Sequence, residues 1–180
     1  MDYLPYEVTA AVTWEDRAAH RIMELEGLNY SFKAIHQRED YSLRPSGRVT
    51  VAYKEQGKEK YAIDYGDNTG VKGQYSTEKA AEVNLKTKLI PEYIRRSRNI
   101  FPDYDTYSEK LRIEILQSVF RGWTSDKTAK LIRDEDWFLA AIEFLNDADY
   151  EAATAPNSTT RGIATRMEAL ANALQEEGEM

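Results

Sequence analysis

Cysteine is absent from the 180 residues, which excludes disulfides, thiolate nucleophiles and thiolate metal sites. Histidine is almost as scarce: His20 and His36 have no second ligand at zinc-binding spacing, so no metal is expected. No apolar run approaches the roughly 18 to 20 residues of a membrane span. The opening Met1-Asp2-Tyr3-Leu4-Pro5-Tyr6 has neither a basic head nor an apolar stretch, so no cleavable signal is expected. Positive charge is also in deficit, with 24 Lys and Arg against 31 Asp and Glu, a net charge of −7. That balance disfavours nucleic acid as a partner, because few phosphates would be neutralised. There is no Gly-x-Ser-x-Gly elbow, phosphate-binding glycine loop or internal repeat.

What remains reads as a water-soluble domain with 42% hydrophobic and 31% charged residues, large enough to close a core. Residues 1–12 contain Pro5 and no helical period, and are read as an arm. Thr13 and Asp16 form a capping-box-like pair, and Ala18, Ala19, Ile22, Met23 and Leu25 recur at helical spacing. A first helix is predicted over Trp14 to Glu26, stopped by Gly27. Residues 28–47 are irregular and polar, an inserted surface loop. A small β region follows over 48–75, where Val49 to Tyr53 and Lys60 to Tyr65 alternate as a hairpin turning near Gly57.

Residues 76–174 read as a helical lobe. Ser76 is the expected cap of a long helix whose apolar face includes Ala81, Leu85, Leu89 and Ile94, kinked or broken at Pro91. Further helices are expected over Ser108 to Phe120, Ser125 to Arg133 and Glu135 to Asn146. Ala152 to Thr160 reads as a small-residue loop. A last helix through Ile163, Met167, Leu170 and Leu174 frays into an acidic tail over 175–180. The expected class is α+β: an N-terminal helix, a small antiparallel sheet, and a larger helical lobe with a cleft between sheet and helices.

The carboxylates suggest a chemistry. Cleaving a glycosidic bond takes one carboxylic acid to protonate the leaving oxygen and a second carboxylate on the other side of the sugar. Glu26, at a helix end facing the sheet, suits the acid. The hairpin offers Glu55, Glu59 and Asp64, of which Glu55 and Asp64 stand where a strand end could face the cleft. Arg166, or else Arg161, is a candidate to pair with Glu26. Tyr65 is a further substrate contact on the sheet side. Asp64-Tyr65-Gly66-Asp67-Asn68-Thr69-Gly70 has the flavour of a calcium loop, but Tyr75 occupies its twelfth position.

Glu24-Leu25-Glu26-Gly27-Leu28 resembles the helix-ending acid-Gly motif of phage-type lysozymes, the T-even phage lysozyme family of glycoside hydrolases. Tyr53-Lys54-Glu55 with Tyr61-Ala62-Ile63-Asp64-Tyr65-Gly66 is similar to that family's hairpin. Ser76 to Glu82, Val119-Phe120, Trp137 to Leu145 and Gly162 to Glu168 match its helical landmarks in order, from Thr13 to Leu174. The resemblance implies a lysozyme-like fold, inverting hydrolysis of peptidoglycan and no cofactor. It also implies substrate contacts from Phe120 and Thr128. The family's hairpin Asp is Glu55 here, 29 positions after Glu26, and Ala62 stands where its water-holding Thr would be. The implied setting is synthesis in a host cytoplasm and action at the bacterial wall, as an endolysin or from a virion. The alternative is a degenerate lysozyme fold serving as a virion structural or binding protein, docked on other virion proteins through the N-terminal arm.

Overall fold

The computed structural model describes residues 12–26, 49–54 and 60–180. Most of the N-terminal arm, the 28–47 insertion and Glu55 lie outside them. The class is α+β, with an N-terminal helix, small antiparallel sheets and a larger set of packed helices.

Helix α1 (Trp14–Glu26) begins with a complete capping box. The Asp16 backbone N–H donates to Thr13 Oγ1 at 3.2 Å, and the Thr13 N–H donates back to Asp16 Oδ2 at 3.0 Å. Its buried face is Ala18, Ala19 and Ile22. Two small residues in succession let the helix lie close against its neighbours.

The expected hairpin is split. Strand β1 (Val49–Val51) pairs antiparallel not with the next strand but with β5 (Tyr75–Thr77), Val49 opposite Thr77 and Val51 opposite Tyr75. After Ala52 the chain changes partner, so that β2 (Tyr53–Lys54) pairs with β3 (Tyr61–Ile63), which in turn pairs with β4 (Asp67–Gly70). Ala52 is the crossing point: its N–H donates to the Gln74 carbonyl at 2.9 Å. Gly70 permits the β3–β4 approach, since a Cβ there would lie 2.8 Å from the Ala62 carbonyl carbon.

Ser76 belongs to β5, and the helix cap is its neighbour Thr77, whose Oγ1 accepts from Ala80 N–H at 3.1 Å. The helix runs as α2 (Glu78–Asn84), a π-helical turn (Leu85–Leu89) and α3 (Ile90–Ile100). Pro91 therefore does not break it: it stands in the first turn of α3, directly after the π-helical turn. Proline has no N–H to give and its ring crowds the carbonyl of the preceding turn. The wider turn just before it, in which Ile90 N–H reaches back to the Leu85 carbonyl, accommodates both demands.

The remaining helices are α4 (Glu109–Arg121), capped by Ser108; α5 (Asp126–Arg133), capped by Ser125; α6 (Trp137–Leu145); α7 (Ala148–Thr154); and α8 (Arg161–Glu179). Helix α7 occupies part of the expected loop, started by Asp147, whose Oδ1 accepts from Asp149 N–H at 2.7 Å. The hydrophobic core joins Ile22 of α1, Leu85 and Ile90 of the long helix, Ile115 of α4 and Leu174 of α8, all at most 1% exposed. Among the described residues no helix is long and apolar enough to cross a membrane.

The acidic tail is ordered helix rather than a frayed end. Both Glu177 carboxylate oxygens accept from the Ser108 N–H, at 3.0 and 3.3 Å, and Glu176 pairs with Lys110 at 2.6 Å. A carboxylate at the start of α4 satisfies a donor and meets the positive end of the helix dipole. Glu177→Ala is expected to cost about 1 kcal/mol, while Glu176→Ala, which removes only an exposed pair, costs at most about half that. Urea denaturation of the two variants checks the difference; equal losses would show that Glu177 contributes only surface charge.

Candidate functional site

Helix α1 closes with acidic Glu24 and Glu26 and has no basic residue in its last turn. Its terminal carbonyls and carboxylates gather negative charge: Arg21, one turn back, meets Glu24 at 3.8 Å, but Glu26 has no cation within the helix. The relief comes from the last helix. Arg166 Nη1 donates to Glu26 Oε1 at 2.7 Å, and Arg166 Nη2 donates to the Leu25 carbonyl. One planar guanidinium thus binds a side chain and a helix end 140 residues away in sequence. The Glu26 side chain keeps 27% of its surface exposed and Arg166 keeps 16%. The carboxylate is held in place yet can still be reached.

Arg166 also lines a pocket of about 310 Å³. Its walls include Gln117, Ser118 and Arg121 from the end of α4, then Trp123, and Phe144 of α6. The volume lies at the lower end of the small-molecule range. Arg166, the ion-pair partner of Glu26, thus lines the cavity, although Glu26 itself does not.

The second expected carboxylate, Asp64, serves another purpose. It sits at φ 56 in the turn between β3 and β4, with Gly66 at φ 89. It is only 8% exposed. Its Oδ2 accepts from Asn84 Nδ2 at 3.0 Å, and its Oδ1 is buried without a partner among the described residues. The same Asn84 amide donates to Asp67 Oδ2 at 2.9 Å, where Lys88 Nζ joins at 2.7 Å. Thr69 closes the other side of Asp67, through its N–H at 3.0 Å and its hydroxyl at 2.7 Å. Burial by itself would raise the Asp67 carboxyl, but the donors Lys88, Asn84 and Thr69 outweigh it and hold it at about 2. The calcium-like loop is thus a hairpin whose acid is neutralised by a lysine. Among the described residues no group of three or more His, Cys, Asp or Glu is placed to hold a metal.

The sequence reading puts Tyr65, Phe120 and Thr128 at the substrate. The structure instead buries Tyr65 in the hydrophobic core, 9% exposed, and Thr128 completely. Thr128 belongs to the start of α5: its N–H donates to Ser125 Oγ at 3.3 Å, and its Oγ1 lies 2.7 Å from that same oxygen as acceptor. Phe120 is partly buried against Tyr93, ring centroids 4.6 Å apart, and borders Gly66. It joins the β3–β4 turn to the helices. Glu55 follows β2 directly but lies outside the described residues.

Measured against known proteins, the chain matches no family model, no curated protein and no solved structure. The site therefore has to be read from its own geometry.

Sequence reasoning overlooked Asn84, Lys88, Gln117 and Arg121. Asn84 and Lys88 carry a signal in hindsight: polar residues four apart, between the buried Ala81, Leu85 and Leu89, mark a helix edge that meets another polar surface. Gln117 is 2% exposed on α4 and donates from Nε2 to Glu114 and to the Arg166 carbonyl.

Because folding holds the Asp67 carboxyl near 2, below its ordinary 3.8, its charge adds stability that is fully present above about pH 4 and is lost as the pH falls toward 2. Asp67→Asn is expected to lower stability at pH 7 by about 2 kcal/mol. Urea melts at pH 7, 4 and 2.5 should show the gap between variant and wild type closing at the acid end. A gap independent of pH would assign the loss to packing.

Proposed function

We propose that the chain is a phage-type lysozyme acting on the glycan backbone of bacterial peptidoglycan, with Glu26 as general acid. The observation that carries this reading is the reachable Glu26 carboxylate, fixed at a helix end by Arg166 beside the pocket. Arg166 takes Oε1, which leaves Oε2, without a partner among the described residues, to carry the proton to the glycosidic oxygen. As the bond from the sugar carbon to that oxygen breaks, the proton passes to the leaving sugar. A water attacks the opposite face of the same carbon and gives its proton to the second carboxylate.

Glu55 is the proposed second carboxylate. Asp64 is largely withdrawn from that role by its burial and its bond to Asn84. Inversion at the sugar carbon, action at the bacterial wall, and carriage as an endolysin or in a virion belong to the same proposal.

One observation favours the alternative, a lysozyme-like fold retained as a structural or binding part of a virion. The hairpin carboxylates within view, Asp64 and Asp67, are both buried and used to hold the turn. A residue in that position serves the fold rather than a reacting water.

Clearing of outer-membrane-stripped cells, followed by turbidity and by release of reducing sugar, separates the two readings. Wild type is expected to clear, with Glu26→Gln and Glu55→Gln each slowed by at least about 100-fold while melting near the wild-type temperature. A folded wild type that releases no reducing sugar would reject the enzyme in favour of the structural module.

A further inference from the structure

Helix α6 is apolar on every face. Of its nine residues, Trp137-Phe138-Leu139-Ala140-Ala141-Ile142-Glu143-Phe144-Leu145, only Glu143 is charged, and a helix of that kind is ordinarily covered all round. The fold covers one side: Ala140 and Ala141 are buried, and Trp137, Phe144 and Leu145 pack against the core. Phe138, Leu139 and Ile142 stay 52%, 56% and 65% exposed. Phe138 and Ile142 lie one turn apart with Leu139 beside them, so the three form one contiguous ridge. None of them lines the pocket beside Arg166.

The ridge has an acidic border. Glu135 and Asp136, directly before α6, are exposed, and so is Glu179 of α8. Glu179 is brought there by its neighbour Gly178, which lies so close to α6 that a Cβ would stand 3.0 Å from the Phe138 ring and 3.1 Å from Trp137 Cβ. The nearby cations are committed elsewhere: Lys127 to Glu143 at 2.6 Å, Lys130 to Asp134, and Arg133 to the Ile100 carbonyl at 3.1 Å. Glu135, Asp136 and Glu179 are paired with no cation among the described residues.

Size and charge together select what covers the ridge. Its exposed apolar surface is on the order of 300 Å², whereas a stable pair of copies takes about 800 Å² from each. Two copies would also set one acidic border against another, and an anionic bilayer meets the same repulsion. A single helix fits: apolar side chains three and four apart pack against the ridge, and Lys or Arg on the flanks answer the three carboxylates. We propose that the outer face of α6 is a docking surface for a basic amphipathic helix of a partner protein. Phe138, Leu139 and Ile142 supply the apolar contact, and Glu135, Asp136 and Glu179 orient the incoming helix. Docking here requires no glycosidase activity.

Fluorescence anisotropy of a labelled helical peptide of about 18 residues, leucine on one face and lysine on the other, tests this on the full-length chain. Wild type is expected to bind it, and to bind a peptide with the same leucine face but glutamate in place of lysine at least about tenfold more weakly. Leu139→Ser combined with Ile142→Ser, both at exposed positions, is expected to lose at least about tenfold in affinity while melting near the wild-type temperature. Glu135→Lys is expected to lose about threefold, and Glu15→Lys, the same charge change at an exposed position on α1, to lose nothing. No binding of the lysine peptide, equal binding of the glutamate peptide, or affinity unchanged in the serine variant would overturn the proposal. So would a loss in Glu15→Lys equal to that in Glu135→Lys, which would assign the attraction to the net charge of the whole molecule. Sedimentation of the protein alone, and flotation with phosphatidylcholine vesicles with and without phosphatidylserine, address the other occupants. A dimer, or vesicle binding, that disappears in the serine variant would replace the partner helix by a second copy or by a membrane.

Discussion

The structure depends most on how the end of the first helix is satisfied. A helix that finishes in Glu24-Leu25-Glu26 presents carbonyl oxygens and carboxylates together, a poor ending in electrostatic terms. Arg166 resolves this by donating to the Leu25 carbonyl and to Glu26 at once. Its position on α8 brings together, at the end of α1, residues that lie 140 positions apart in sequence. Around that contact α1 is fixed by further ions on its flank: Arg17 to both oxygens of Glu109, at 2.5 and 2.8 Å, and Arg21 to the largely buried Glu114 at 3.1 Å. Exposed pairs of the first kind contribute little stability, but together they fix the rotation of α1 about its axis. Rotation decides which way Glu26 points.

The parts of the fold that were legible in the sequence are those whose cause is local. Thr13, Ser108 and Ser125 mark helix starts because a hydroxyl reaches an N–H only three residues away, a relation visible in the letters themselves. Alternation at Val49 to Tyr53 announces a strand, but it does not name a partner. The choice of β5 over β3 for Val49–Val51 is settled by a segment, Tyr75–Thr77, whose Ser76 also reads as a helix cap. The tail over 175–180 looks unsupported because its supporting donors, Ser108 and Lys110, lie 69 and 66 residues away. Nothing near Gln175 hints at them.

The candidate site divides along the same line. Glu26 and Arg166 were legible as opposite charges with a reason to meet. Asp64 reads as a free hairpin acid, yet its environment is supplied by Asn84, from a helix whose polar edge carries no distinctive motif. Thr128 illustrates a different confusion: Ser125-x-x-Thr128 is a pair of hydroxyls joined to start a helix, and a sequence cannot distinguish a hydroxyl kept for the backbone from one offered to a ligand. Polar residues used by the fold and polar residues used by chemistry look alike until burial separates them.

The π-helical turn over Leu85–Leu89 amounts to one residue more than a regular helix would use, and each residue turns an α-helix by about 100°. Asn84, the last residue of α2, and Lys88, within the π-helical turn, grip the β3–β4 turn, whereas Ile90, Ile94 and Ser97 beyond it face the core. The extra residue therefore acts as a phase shifter between two faces of one rod, setting the angle at which the sheet is presented to the helices. Deleting a single residue there would leave an unbroken helix of good composition with its two ends out of step, and the sheet would be carried around the axis with them.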